Sequence, residues 1–164
     1  MSSFSLNTPG LSFYSIPLVW LVGIWPSRVR NALIDRSVPR GFDTVQQPLS
    51  NVGRLHEYPG VKPETAEEVD RAEGAHKNAL EMMPLWIGAV SVQLAGNQAG
   101  LDDSFMNAAS FAFIGARVLY NYIYLRQSNR AESAYRSYAW LASLAIPMTI
   151  FIRAANKIRL SRSA

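Results

Sequence analysis

The chain has no cysteine, which excludes a disulfide framework and a thiolate metal site and leaves any thiol chemistry to a thiol carried by a ligand. Histidine is almost as scarce. His56 and His76 stand too far apart for a zinc motif, so no metal site is expected. Charge is also sparse, at 17% of residues, and what there is lies in bunches. No charged residue falls within Met1–Ser27, Met82–Leu101, Ser104–Ala116, Val118–Leu125 or Ser137–Ile152. At about 1.5 Å of rise per residue, a run like Met82–Leu101 approaches the roughly 30 Å of a bilayer's hydrocarbon core. This pattern gives one all-α integral membrane domain over residues 1–164 with four candidate spans, at about 11–33, 66–98, 103–126 and 134–154.

A positive start is missing from the N-terminal stretch, whose Arg28 and Arg30 follow the apolar run instead of preceding it, so it reads as a retained first span and not a secretory signal. Pro17 kinks that span or marks a late start. The net charge of +4 comes from cations at the ends of apolar runs (Arg28, Arg30, Arg126, Arg130, Arg153, Lys157, Arg159, Arg162). Snorkelling and interfacial anchoring account for that placement, and nucleic-acid binding is not expected. The positive-inside balance puts the two Arg-rich loops on the cytoplasmic side.

The one long polar segment, about 35–65, is rich in proline and glycine and reads as a loop. PETAEEVD, residues 63–70, reads as the first turns of the second helix, with Thr65 and Glu68 at capping-box spacing. The second span is longer than a bilayer requires and contains Pro84. Residues 97–103 form a short hairpin loop to the third span, and QSNRAES connects tightly to the fourth.

Polar residues inside the apolar segments carry the functional argument. Gly74, Lys77, Asn78 and Glu81 share one helical face, and Arg117, Tyr120, Asn121 and Tyr124 share another. The economical arrangement turns these stripes together and pairs Glu81 with Arg117, because an unpaired charge at membrane depth costs several kcal/mol. An ion pair alone is equally consistent with a structural staple. Two stripes with this many polar groups offer more than one ion pair needs, and a polar ligand is a reasonable occupant. Trp86, Phe111, Phe113, Tyr122 and Trp140 read as lipid-facing anchors or packing residues, a few of them available to line an apolar groove.

A-x-x-N-x-x-E-x-x-P at Ala75, Asn78, Glu81 and Pro84, then A-R-x-x-Y-x-x-x-Y-L from Ala116 to Leu125, then R-S-x-x-W from Arg136 to Trp140, resembles the MAPEG family. These are membrane-associated proteins of eicosanoid and glutathione metabolism, and the match runs through the second, third and fourth spans. The resemblance implies a homotrimer of four-helix bundles in the endoplasmic reticulum or another intracellular membrane, with glutathione bound as co-substrate between subunits. It implies a transferase or peroxidase/isomerase acting on a lipophilic small molecule that enters from membrane lipid. It assigns the thiolate to an arginine at the start of the fourth span, here Arg136 with its neighbour Ser137, and Arg130 is the reserve. Arg71, Lys77, Asn78, Glu81, Arg117, Tyr120 and Tyr124 become the glutathione-binding candidates, since fixed cations suit two carboxylates and a carboxylate suits an ammonium. Better-studied members often carry arginine where this chain has Gly74 and Lys77. A MAPEG-fold enzyme that does not use glutathione, and a non-catalytic lipid-binding scaffold, are the alternatives.

Overall fold

The computed structural model describes residues 5–38, 42–92 and 101–163. Every regular element among them is helical: α1 (Ser15–Ser37), α2 (Asn51–His56), α3 (Pro63–Ser91), α4 (Asp103–Arg126) and α5 (Arg130–Ser161), with a 3-10 turn over Leu11–Tyr14 before α1. The end of the second span, residues 93–98, and most of the hairpin loop read at 97–103 lie outside the described residues. Helix α1 packs chiefly on α3 and α4 on α5, with α1–α4, α3–α4 and α3–α5 contacts completing a bundle of four long helices.

Helix starts follow local chemistry. Pro17 sits in the first turn of α1, where an amide hydrogen has no intrahelical acceptor to lose, so it marks a late start and does not break the helix. Pro63 occupies the first position of α3, so the helix begins upstream of the expected Thr65–Glu68 capping box, and no side chain caps it. Asn129 caps α5 by accepting from the Glu132 amide at 3.0 Å. Glu132 in turn accepts from the Ser128 amide at 2.5 Å, which holds its carboxyl below the usual glutamate range.

One feature corrects the sequence reading. The segment read as a polar loop contains α2 and packs, because Phe42 and Leu55 join Ile34, Ala66 and Val69 in a buried apolar cluster. Arg54 lies 4.5 Å from the Phe42 ring centroid, and the His56 Nε2 lies 2.9 Å from an Asp70 oxygen, tying α2 to α3. Of the aromatics read as anchors or packing residues, Trp86 and Phe113 are packing residues, fully buried and stacked at 4.0 Å between centroids, and the Trp86 indole donates to Ser15 Oγ at 3.1 Å. Phe111 and Tyr122 remain exposed.

Pro26 lies inside α1 and cannot donate to the carbonyl of Val22. Asn121 of α4 supplies the missing donor through Nδ2 at 2.8 Å, and His76 of α3 lies 2.8 Å from the next carbonyl, Gly23. A carbonyl only accepts, so His76 carries a hydrogen on Nδ1. A Cβ added at Gly23 would meet the Ala79 Cβ at 3.1 Å, so α1 and α3 approach closely through small residues at this level.

Among the described helices, only α5 contains an 18-residue stretch apolar enough to cross a membrane, with mean hydropathy 1.4. The stretches in α1, α3 and α4 are diluted by residues such as Arg28, Glu73 and Arg117, the last of which turns inward to the bundle.

Candidate functional site

Helices α3, α4 and α5 enclose an open cleft of about 380 Å3. From α3 come Gly74, Lys77, Asn78 and Glu81, one row of a helix read at intervals of three and four. From α4 come Tyr120 and Tyr124, and from the start of α5 come Arg136, Ser137 and Trp140. Seven of the nine residues named from sequence therefore line one cavity: Lys77, Asn78, Glu81, Tyr120, Tyr124, Arg136 and Ser137.

The other two lie elsewhere. Arg117 is 2% exposed and sits beneath the cleft, where its Nη2 donates to Asn78 Oδ1 at 3.1 Å. The direct Glu81–Arg117 ion pair expected from sequence is absent among the described residues. Asn78, about one turn before Glu81 on α3, takes the guanidinium instead and donates on to Glu81 Oε2 at 3.5 Å. Glu81 stays exposed at the rim. Arg71 lies ten positions before Glu81, about 15 Å along the axis at 1.5 Å per residue, and it lines a second polar cleft with Arg130, Gln127 and Ser133. The reserve candidate Arg130 is therefore separated from the first cleft.

An alternation of cations and rings runs from the core to the cleft. The Arg117 guanidinium lies 4.3 Å from the Tyr120 centroid, Tyr120 meets Tyr124 edge-on at 5.6 Å, and the Arg136 guanidinium lies 4.7 Å from the Tyr124 centroid. Each contact is an attraction between a ring face or edge and a neighbouring positive charge or dipole. Together they fix the two phenols and set Arg136 at the cleft wall. Lys77 is held from the side by Glu73 at 3.3 Å, and Glu73 also pairs with Arg30 of α1.

Two lining residues were not expected as site residues. Trp140 was read with the anchors and packing residues, a few of which were available to line an apolar groove, and it borders Arg136 and Ser137 in the cleft. Gly74 was placed on the polar face of its helix and noted as a departure from the family pattern, and here it faces Tyr124: a Cβ at position 74 would come 2.4 Å from the phenol oxygen. The spacing of Gly74 to Glu81 was the signal available in sequence.

The donor set is chemically mixed. Two cations (Lys77, Arg136), one carboxylate (Glu81), one amide and two phenols surround a space within the ordinary range of ligand sites, about 300–1,000 Å3. Such a set suits a zwitterionic ligand with several hydrogen-bonding groups, with an apolar wall at Trp140 beside it. No curated protein and no solved structure matches this chain. Residues 12–156 match the MAPEG family, which covers all four long helices down to the last turns of α5, and the chain belongs to that family of membrane proteins.

Proposed function

We propose that the protein is a glutathione-dependent membrane enzyme, a transferase or a peroxidase/isomerase, whose co-substrate occupies the cleft between α3, α4 and α5. The observation that carries this reading is the convergence of Lys77, Asn78, Glu81, Tyr120, Tyr124, Arg136 and Ser137 on one cavity, in a chain of the MAPEG family. Glutathione has two carboxylates and one ammonium. Lys77 suits a carboxylate and Glu81 the ammonium, Arg136 is left for the sulfur, and Asn78 and the phenols offer hydrogen bonds to the peptide groups.

Glutathione supplies the thiol that this cysteine-free chain lacks. A guanidinium beside the sulfur favours the thiolate over the thiol, which raises the population of the nucleophile near neutral pH. Arg136 is assigned that role, and the Ser137 hydroxyl beside it is assigned a hydrogen bond to the same region. Arg117 supports the ligand through Asn78 and does not touch it. The electrophile is lipophilic and arrives from the membrane past Trp140. The family reading also carries a homotrimer, whose neighbouring subunit would close the open flank of the cleft, and residence in the endoplasmic reticulum or another intracellular membrane.

The test is glutathione binding to the purified, detergent-solubilised protein, followed by turnover with chlorodinitrobenzene for wild type and Arg136→Ala. Arg136→Ala should remove most turnover while glutathione still binds, because transition-state and ground-state contacts separate in kcat and KM. Turnover that survives Arg136→Ala removes that residue from the role. Absence of glutathione binding favours the second reading, a MAPEG-fold enzyme acting without glutathione. One observation supports that alternative: position 74 offers no cation, and its space is taken by the Tyr124 phenol.

A further inference from the structure

Glycine in a helix interior weakens the helix relative to alanine, so Gly74, in the middle of α3, needs a reason. Its backbone is ordinary helix; the described glycines with positive φ are Gly10 and Gly60. The reason lies in the space above it. A Cβ at position 74 would stand 2.4 Å from Tyr124 Oη, 3.0 Å from Cζ and 3.4 Å from Cε1. No other described glycine is approached so closely; the next are Gly23 at 3.1 Å and Gly88 at 3.2 Å. The hydroxyl end of the phenol therefore lies against bare backbone. The same ring carries the Arg136 guanidinium at 4.7 Å from its centroid, and its edge meets Tyr120 at 5.6 Å.

We propose that Gly74 is a positioning residue of this site: it leaves room for the Tyr124 phenol, and Tyr124 so seated holds Arg136 at the cleft wall. Any side chain at position 74 swings the phenol outward and takes the cation's platform with it. The role of Arg136 towards a thiolate rests on the glutathione reading above, whereas the Gly74–Tyr124–Arg136 relay is a property of the fold by itself. Tyr124→Phe is the informative partner. It deletes the atom at 2.4 Å, leaves the nearest remaining ring atom at 3.0 Å, and keeps an aromatic face for Arg136.

The experiment compares wild type, Gly74→Ala, Tyr124→Phe and the double variant, each in detergent with arginine side chains labelled for NMR and the Arg136 resonance assigned by its loss in Arg136→Lys. Protons of a side chain resting on a ring are shifted by the ring current. We expect that shift in wild type, in Tyr124→Phe and in the double variant, and its loss in Gly74→Ala. Turnover should fall roughly tenfold in Gly74→Ala, mainly in kcat, with the pH profile displaced upward, because a displaced cation stabilises the developing anion less well. It should return to the Tyr124→Phe level in the double variant. Rescue by a change at the partner residue is an outcome that simple loss of fold does not give. An unmoved Arg136 resonance in Gly74→Ala, or a double variant no better than Gly74→Ala, overturns the proposal. If wild type binds no glutathione while the resonances follow the expected order, the relay stands and the glutathione reading falls.

Discussion

The join between Pro26 and Asn121 gives the sharpest energetic prediction. Asn121 is fully buried and donates to the Val22 carbonyl at 2.8 Å, replacing the amide hydrogen that Pro26 lacks. Asn121→Leu keeps the approximate volume and removes the donor. The hydrogen bond itself is worth about 0.5–1.5 kcal/mol net, and side-chain bonds measured inside membranes average about 0.6 kcal/mol. Leaving the carbonyl buried without a donor costs about 1–3 kcal/mol. One term opposes these: Asn121 Oδ1 has no partner among the described residues, so leucine also removes an unsatisfied acceptor. The orphaned carbonyl should win, giving a loss of about 1–2 kcal/mol, or roughly 2–8 °C in melting temperature for a chain of this size. Pro26→Ala returns the helical donor to Val22, and on that background Asn121→Leu should cost less than about 0.5 kcal/mol. The assay is a double-mutant cycle in thermal unfolding of the detergent-solubilised protein. Equal costs of Asn121→Leu on both backgrounds would refute the substitution of side chain for backbone.

Alkaline carbonate should leave the protein in the membrane pellet and detergent should extract it; release by carbonate would contradict bilayer residence. Arg117→Ala should weaken ligand binding more than it lowers kcat, with some loss of stability, since it acts through Asn78; a pure kcat effect would put it at the reacting centre. Gly23→Val should destabilise the α1–α3 contact, where even a methyl meets Ala79 at 3.1 Å, and a melting temperature equal to wild type would show that the helices part at no cost. Glu132 has a depressed folded-state pKa, so its contribution to α5 is present above the ordinary glutamate value of 4.5 and is lost as pH falls through the lower folded value. The Ser128 amide resonance should titrate with that lower midpoint, and a midpoint at or above 4.5 would remove the cap.

What was legible in the sequence follows from what leaves a periodic trace. Helix α4 spans Asp103–Arg126 because charged residues close both ends of a charge-poor run, and the row from Gly74 to Glu81 is helical arithmetic. The inward and outward faces of Trp86 and Phe111 were not readable, because a helix apolar on all sides has no contrast to orient it. Helix α1 runs four residues past the expected end at Leu33, since Ile34 is drawn into the cluster with Phe42 and Leu55, a contact between distant segments. The Arg117–Asn78 bond was hidden because charge complementarity points to the glutamate, and the neutral asparagine on the same face that accepts from the guanidinium carries no charge signal. Arg71 shares a face with Asn78 but not a height, and height along the axis is easily lost when residues are read as a wheel.

Glu73 is one carboxylate shared by two cations on different errands. Arg30 brings it the first helix, and Lys77 brings it the rim of the cleft. A ligand anion that draws Lys77 away leaves Glu73 to Arg30 alone, and a looser first helix leaves Glu73 to Lys77. Occupancy of the cleft and the seating of α1 on α3 are therefore thermodynamically linked, and the linkage runs with equal size in both directions. Arg30→Gln, at a residue that does not itself line the cleft, changes the availability of Lys77 by way of the carboxylate they hold in common.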